Sequence, residues 1–138
     1  MKLKVQIDDF GFEPTRVNSD DAGLDLYSPE DVIIEAGTRC FINTGVHVGI
    51  PKGYVGFLTS KSGLMKNHGI TCRGTIDAGY VGSIGAVLFN HSDESYTVRR
   101  GDRITQLVIL PIITPEIEIV DELKDTARGK CGFGSSGR

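Results

Sequence analysis

A chain of 138 residues is long enough to bury one core without disulfide or metal staples. Its 15 basic and 18 acidic residues leave a formal net charge of −3, which argues against broad electrostatic binding to nucleic acid. No stretch approaches the roughly 20 apolar residues of a membrane span, and the 18 glycines are spread along the chain as turn punctuation, not gathered in one low-complexity block.

In chain order the predicted elements are short strands. The opening MKLKVQIDDF lacks the apolar core of a signal peptide, and KLKVQI alternates polar and apolar as a half-buried strand does. AGLDLYS (22–28) sets Asp25 between Leu24 and Leu26. With the leucines inward, Asp25 faces the other way, either as part of a solvated strand face or toward a magnesium ion or its waters. DVIIE, RCFINTGVHVGI and YVGFLT follow, rich in β-branched and aromatic residues and separated by Ala36-Gly37 and Pro51-Lys52-Gly53. Only KSGLMKNHG suits a short helical turn, with Ser60 or Ser62 as its N-cap. Backbone N–H groups at Ser62 and Gly63 suit a phosphate there, although ordinary capping has the same appearance.

GTIDAGYVG (74–82) puts Asp77 after two β-branched residues and before Ala78-Gly79, a hairpin turn. The carboxylate either supports that turn or takes a proton from water. IGAVLF, TVRRGDRI and ITQLVIL complete the strands, and GDRITQL (101–107) carries Arg103 and Gln106, for which a surface pair of Asp102 with Arg103 is the plain account. No segment keeps a helical period over three turns, so the expected fold is an all-β sandwich or barrel.

After residue 120 the strand pattern is lost. RGKCGFGSSGR (128–138) is glycine-rich: consecutive N–H groups there can turn toward an anion, Arg128, Ser135 and Ser136 suit phosphate oxygens, and Phe133 can stack on a flat base. The chain is expected to be a single domain, 1–138, with a β core over 1–120 and a C-terminal arm over 121–138. Cys40, Cys72 and Cys131, like His47, His68 and His91, are too scattered for a metal clip or a disulfide framework, and a reducing cytoplasmic setting is the plain expectation. A Walker-type phosphate loop is absent.

Taken in order, AGLDLYS, SKSGL, GTIDAGYVG with GAVLFN, GDRITQL and RGKCGFGSSG resemble the five motifs of the homotrimeric dUTPase family, over residues 22–137. The resemblance implies a jelly-roll β protein that hydrolyses dUTP to dUMP and pyrophosphate. It implies that Asp77 directs and deprotonates the attacking water. Tyr80 packs against the deoxyribose and excludes a 2′-hydroxyl. The hairpin over 80–90, Gly85 especially, meets uracil through its backbone, beside Thr75 and Ile76. Lys61, Ser62, Gly63 and Gln106 hold the phosphates, and Asp25 acts on Mg2+ through water. Arg128, Phe133, Gly134, Ser135 and Ser136 close over the nucleotide from a neighbouring subunit. No nucleic acid or membrane partner is implied.

The chain departs from the family pattern at Lys61, where Arg is usual, which replaces a bidentate fork by a point charge. It departs again at Thr71, where several bacterial members carry Asn. Two rival functions remain: a dCTP deaminase, disfavoured because Val87 stands where that family needs a glutamate, and a nucleotide-sensing regulator acting through a protein partner.

Overall fold

The structure, a computed structural model, describes residues 1–138. The alternating and β-branched runs form eleven strands, with one short helix that buries no residue fully. In chain order they are β1 (Lys4–Ile7), β2 (Leu24–Tyr27), β3 (Val32–Ile34), β4 (Arg39–Asn43), β5 (Val46–Gly49), β6 (Tyr54–Ser60), α1 (Ser62–His68), β7 (Ile70–Cys72), β8 (Gly74–Ile76), β9 (Gly85–Asn90), β10 (Tyr96–Val98) and β11 (Arg103–Pro111). A four-stranded sheet ordered β2-β11-β6-β8 lies with a three-stranded sheet ordered β4-β9-β7, and the pairs β1-β5 and β3-β10 complete the jelly roll. Every strand pairing is antiparallel.

Inward positions of both sheets supply the core. Leu26 on β2, Leu58 on β6 and Leu107 on β11 meet Ile42 on β4 and Ala86 and Leu88 on β9, all buried. Buried polar groups are satisfied, as their desolvation requires. Asn90 donates to Ile34 O and Glu94 O and accepts from Ser92, while Thr105 Oγ1 donates to Thr59 O at 2.8 Å.

The structure departs from the sequence expectations in three places. RCFINTGVHVGI is two strands, β4 and β5, broken at Thr44-Gly45. GTIDAGYVG and GAVLFN do not form a hairpin: β8 pairs with β6 and β9 pairs with β4 and β7, so the intervening loop crosses from one sheet to the other. The N-cap of α1 is Lys61, in extended backbone and without a side-chain capping bond, and not Ser60 or Ser62. Ser60 Oγ instead exchanges hydrogen bonds with the backbone of Cys72, which removes it from the helix end.

Candidate functional site

Asp77 leaves the end of β8 and opens a four-residue turn in which Tyr80 N–H donates to Asp77 O at 3.1 Å. Gly79 stands at φ 87°, a conformation that only glycine adopts freely, so the sequence Asp-Ala-Gly-Tyr makes the turn. The Asp77 side chain makes no hydrogen bond within it and points to solvent, so it is free to act on a water. With Thr75, Ile76, Tyr80, Ser83, Gly85 and Phe41 it lines a cavity of ≈ 300 Å³. Tyr80 Oη donates to Ser83 O at 3.0 Å, which holds the phenol ring at the mouth. Ser83 Oγ bonds Asn43 Oδ1, fastening the far end of the loop to the turn after β4.

A second group gathers at the opposite end of β6. On β11 a bulge inserts one residue between Arg103 and Thr105, and this shift sets Gln106 opposite Asp25 on β2. Across the other ladder Gln106 faces Thr59, and its Nε2 donates to Ser60 O at 3.2 Å. Asp25 is 4% exposed, so it is not part of a solvated strand face. Its Oδ1 accepts from Lys61 Nζ, and Arg103 Nη1 lies 3.7 Å from Oδ2. One carboxylate between two cations leaves this end of the sheet with a net positive charge. Arg103 pairs here and not with Asp102, whose carboxylate accepts from Arg99 N–H at 2.8 Å. Ser62 and Gly63 present their backbone N–H groups without partners at the start of α1.

This ion pair joins two residues expected at the nucleotide. Lys61 is committed to Asp25, and the half-exposed Arg103 is the guanidinium left facing solvent. Of the Asp25 carboxylate, Oδ1 is taken by Lys61 while Oδ2 makes no hydrogen bond, and no group of three His, Cys, Asp or Glu residues is placed to hold a metal ion. The chain's own residues therefore do not fit a metal held by the protein alone.

The two groups are not brought together within one chain. Ile76 pairs with Gly56 on β6, so Asp77 lies beside Val55, whereas Gln106 and Thr105 pair with Thr59 and Ser60. At about 3.3 Å per residue, the five positions from Val55 to Ser60 span about 16 Å. A carboxylate acts through at most one intervening water, so Asp77 cannot serve a phosphate held at Ser62 and Gln106 of its own chain.

The third group is the arm. The last strand ends at Pro111, earlier than the loss of pattern expected after residue 120, and Ile112 N–H to Gly53 O is the last backbone bond between this end and the sheets. Arg128, Gly134 and Ser135 sit in successive turns hydrogen-bonded only within the arm, to Cys131, Gly137 and Gly132, with Ser136 among them, and Phe133 is fully exposed. Ile113, Ile117 and Ile119 are each 89% exposed.

Thr71 bonds His91 Nε2 through its hydroxyl and stands apart from the Asp77 cavity. Burial pushes the Cys40 and Cys72 thiols up from their ordinary value, which makes poor nucleophiles of both. Sequence reasoning missed Phe41, which sheet register brings to the Asp77 cavity, and it undervalued Arg103, whose neighbour Gln106 was the available signal.

A family profile described as dUTPase matches residues 12–137. The deoxyuridine 5'-triphosphate nucleotidohydrolase of Gloeothece citriformis is 44% identical, over 99% of this chain and 97% of its own. That of Paramecium bursaria Chlorella virus 1 is 42% identical, over 90% and 89%. The dUTPase of Staphylococcus bacteriophage 80alpha, solved with dUPNHPP, superposes with a TM-score of 0.92 at 36% identity, covering 99% of both chains. A mutant dUTPase from phage phi11 of S. aureus, whose structure details the coordination of a structural Mg(II) ion, gives 0.84 at 33% identity over 91% of this chain and all of its own. A profile match over nearly the whole length, on a chain carrying these three groups in this order, shows that the protein belongs to the dUTPase family.

Proposed function

We propose that the protein hydrolyses dUTP to dUMP and pyrophosphate, at sites that each draw residues from more than one copy of the chain. The separation of Asp77 from the Gln106 end of β6 carries this reading. Both halves of a phosphate-cleaving site are present, yet one chain cannot bring them onto one nucleotide. A homotrimer with shared sites joins the Asp77 cavity of one copy to the Ser62, Gly63 and Gln106 end of another. The exposed isoleucines of the arm supply apolar surface for a neighbour to cover.

In this arrangement the deoxyuridine enters the cavity lined by Thr75, Ile76, Tyr80 and Gly85, with Tyr80 against the sugar. The exposed Asp77 carboxylate directs a water at the α-phosphorus and takes its proton; the bond to the β-phosphate oxygen breaks and pyrophosphate leaves. The Ser62 and Gly63 N–H groups, Gln106 Nε2 and Arg103 hold the phosphate chain of the substrate in line. Mg2+ would enter with the nucleotide, where it would lower the charge of the triphosphate, with Asp25 reaching it only through water. Arg128, Phe133, Ser135 and Ser136 then close over the nucleotide and exclude bulk water, with Gly134 giving the arm its turn at φ 74°. The free cysteines suit a reducing, cytoplasmic setting.

Incubation of the purified protein with Mg2+ and, separately, dUTP, dCTP and UTP tests the reading. Pyrophosphate should be released from dUTP far faster than from the other two. Ammonia from dCTP, or no turnover of any, would overturn it.

A further inference from the structure

The loop that carries Asp77 hangs from the body of the protein by very little. From Asp77 to Gly82 its hydrogen bonds are internal to the loop, with one exception: His47 Nδ1 lies 2.8 Å from Val81 O. The other ring nitrogen, Nε2, is 3.1 Å from both carboxylate oxygens of Asp8. A carbonyl oxygen and a carboxylate both accept, so both nitrogens of His47 must donate, and only the imidazolium has two N–H groups. We propose, on the dUTP-hydrolysing reading above, that His47 is a positioning residue that clamps the Asp77 loop to the N-terminal strand as a doubly protonated ring.

Register explains why the ring sits there. On the β1-β5 ladder Gln6 faces His47 and Lys4 faces Gly49, so Lys4, Gln6 and Asp8 share the face of the sheet on which the imidazole lies. The charged groups around it are thus Asp8, which stabilises the imidazolium, and Lys4 at the far side of Gln6, which opposes it. β5 itself contributes only uncharged residues, Val48 and Gly49 among them, and the loop contributes the Val81 carbonyl. The bond to Val81 O, followed by that to Asp8, holds the His47 pKa above its ordinary value of 6.5. The sign follows from that direction. The clamp is complete below pH 6.5 and loosens as the pH rises through the raised pKa, because the neutral ring has one N–H and keeps either Val81 or Asp8, not both.

The test uses the full chain with three variants, His47→Gln, His47→Arg and Asp8→Asn. In the NMR titration the His47 Cε1–H midpoint should lie above 6.5 in the native protein and fall toward it in Asp8→Asn. At pH 6 the Tyr80 and Ile84 amides, hydrogen-bonded to Asp77 O and Val46 O, should exchange about 10-fold faster in His47→Gln than in the native protein, since one charge-assisted bond has gone. Turnover of dUTP should fall several-fold in kcat with little change in KM, and the gap between native and His47→Gln should narrow above the His47 midpoint. His47→Arg, charged at every pH, should remove that pH dependence. A midpoint at or below 6.5, or unchanged loop exchange in His47→Gln, would overturn the clamp. A protein inert to dUTP whose loop still loosens in His47→Gln would leave the clamp standing and refute the dUTP reading instead.

Discussion

At the scale of single residues, the structure separates two carboxylates that look alike in the sequence. Asp77 is exposed and unbonded, whereas Asp25 is buried between Lys61 and Arg103. Their substitutions should therefore differ in kind. Asp77→Asn keeps the shape and removes the proton acceptor, so kcat for dUTP should fall by about 10²-fold or more while nucleotide affinity and the urea midpoint stay near native. Lys61→Met should act first on stability. It leaves a buried carboxylate with only the more distant Arg103, and loss of one partner of a fully buried pair costs about 3–5 kcal/mol. Because the lysine is partly solvated and Arg103 remains, about 2 kcal/mol is expected, read from urea denaturation.

At the scale of elements, the β11 bulge and the entry to β2 act together. The bulge puts Gln106 opposite Asp25, and Gly23 lets the amide lie flat against the backbone: a Cβ at Gly23 would stand 2.0 Å from Gln106 Oε1 and 3.0 Å from its Cβ. Gly23→Ala should therefore turn Gln106 away from Ser60 O. The expected result is a loss of about 1 kcal/mol of stability, for one hydrogen bond, and a higher KM for dUTP. The arm is the opposite case, an element with almost no bonds to the body. A chain stopped after Thr126 should unfold at nearly the native urea midpoint, since the removed residues bury nothing. It should hydrolyse dUTP poorly, because Arg128, Phe133 and the serines are gone.

At the scale of the whole molecule, the distance along β6 keeps the two ends of that strand from meeting on one nucleotide. If each site takes its base and its arm from different copies, two inactive proteins should rescue each other. Full-length Asp77→Asn and the chain stopped after Thr126, unfolded and refolded together, should form mixed trimers in which some sites hold an intact Asp77 and an intact arm. Activity should rise well above that of either variant alone. Mixed oligomers that stay inactive would mean that base and arm come from one chain.

The sequence by itself determined the fold class, most strands and the turn at Asp77. Each of these is local: alternation sets strand faces, β-branched residues favour them, and Asp-Ala-Gly-Tyr makes its turn from its own backbone. It also marked Asp77, Gln106 and the arm, because motifs lie contiguously in the chain. Tertiary structure alone decided what depends on register and on which sheet a strand joins. The two-residue-per-face repeat of a strand does not say which partner it takes, so the hairpin expected over β8 and β9 became a crossing between sheets. The same blindness hid the Asp25–Lys61–Arg103 group, the approach of Phe41 to the Asp77 cavity, and the reach of His47 across to Val81. Ion pairs and hydrogen bonds between residues distant in sequence form only after the sheets have paired, and no local pattern carries them.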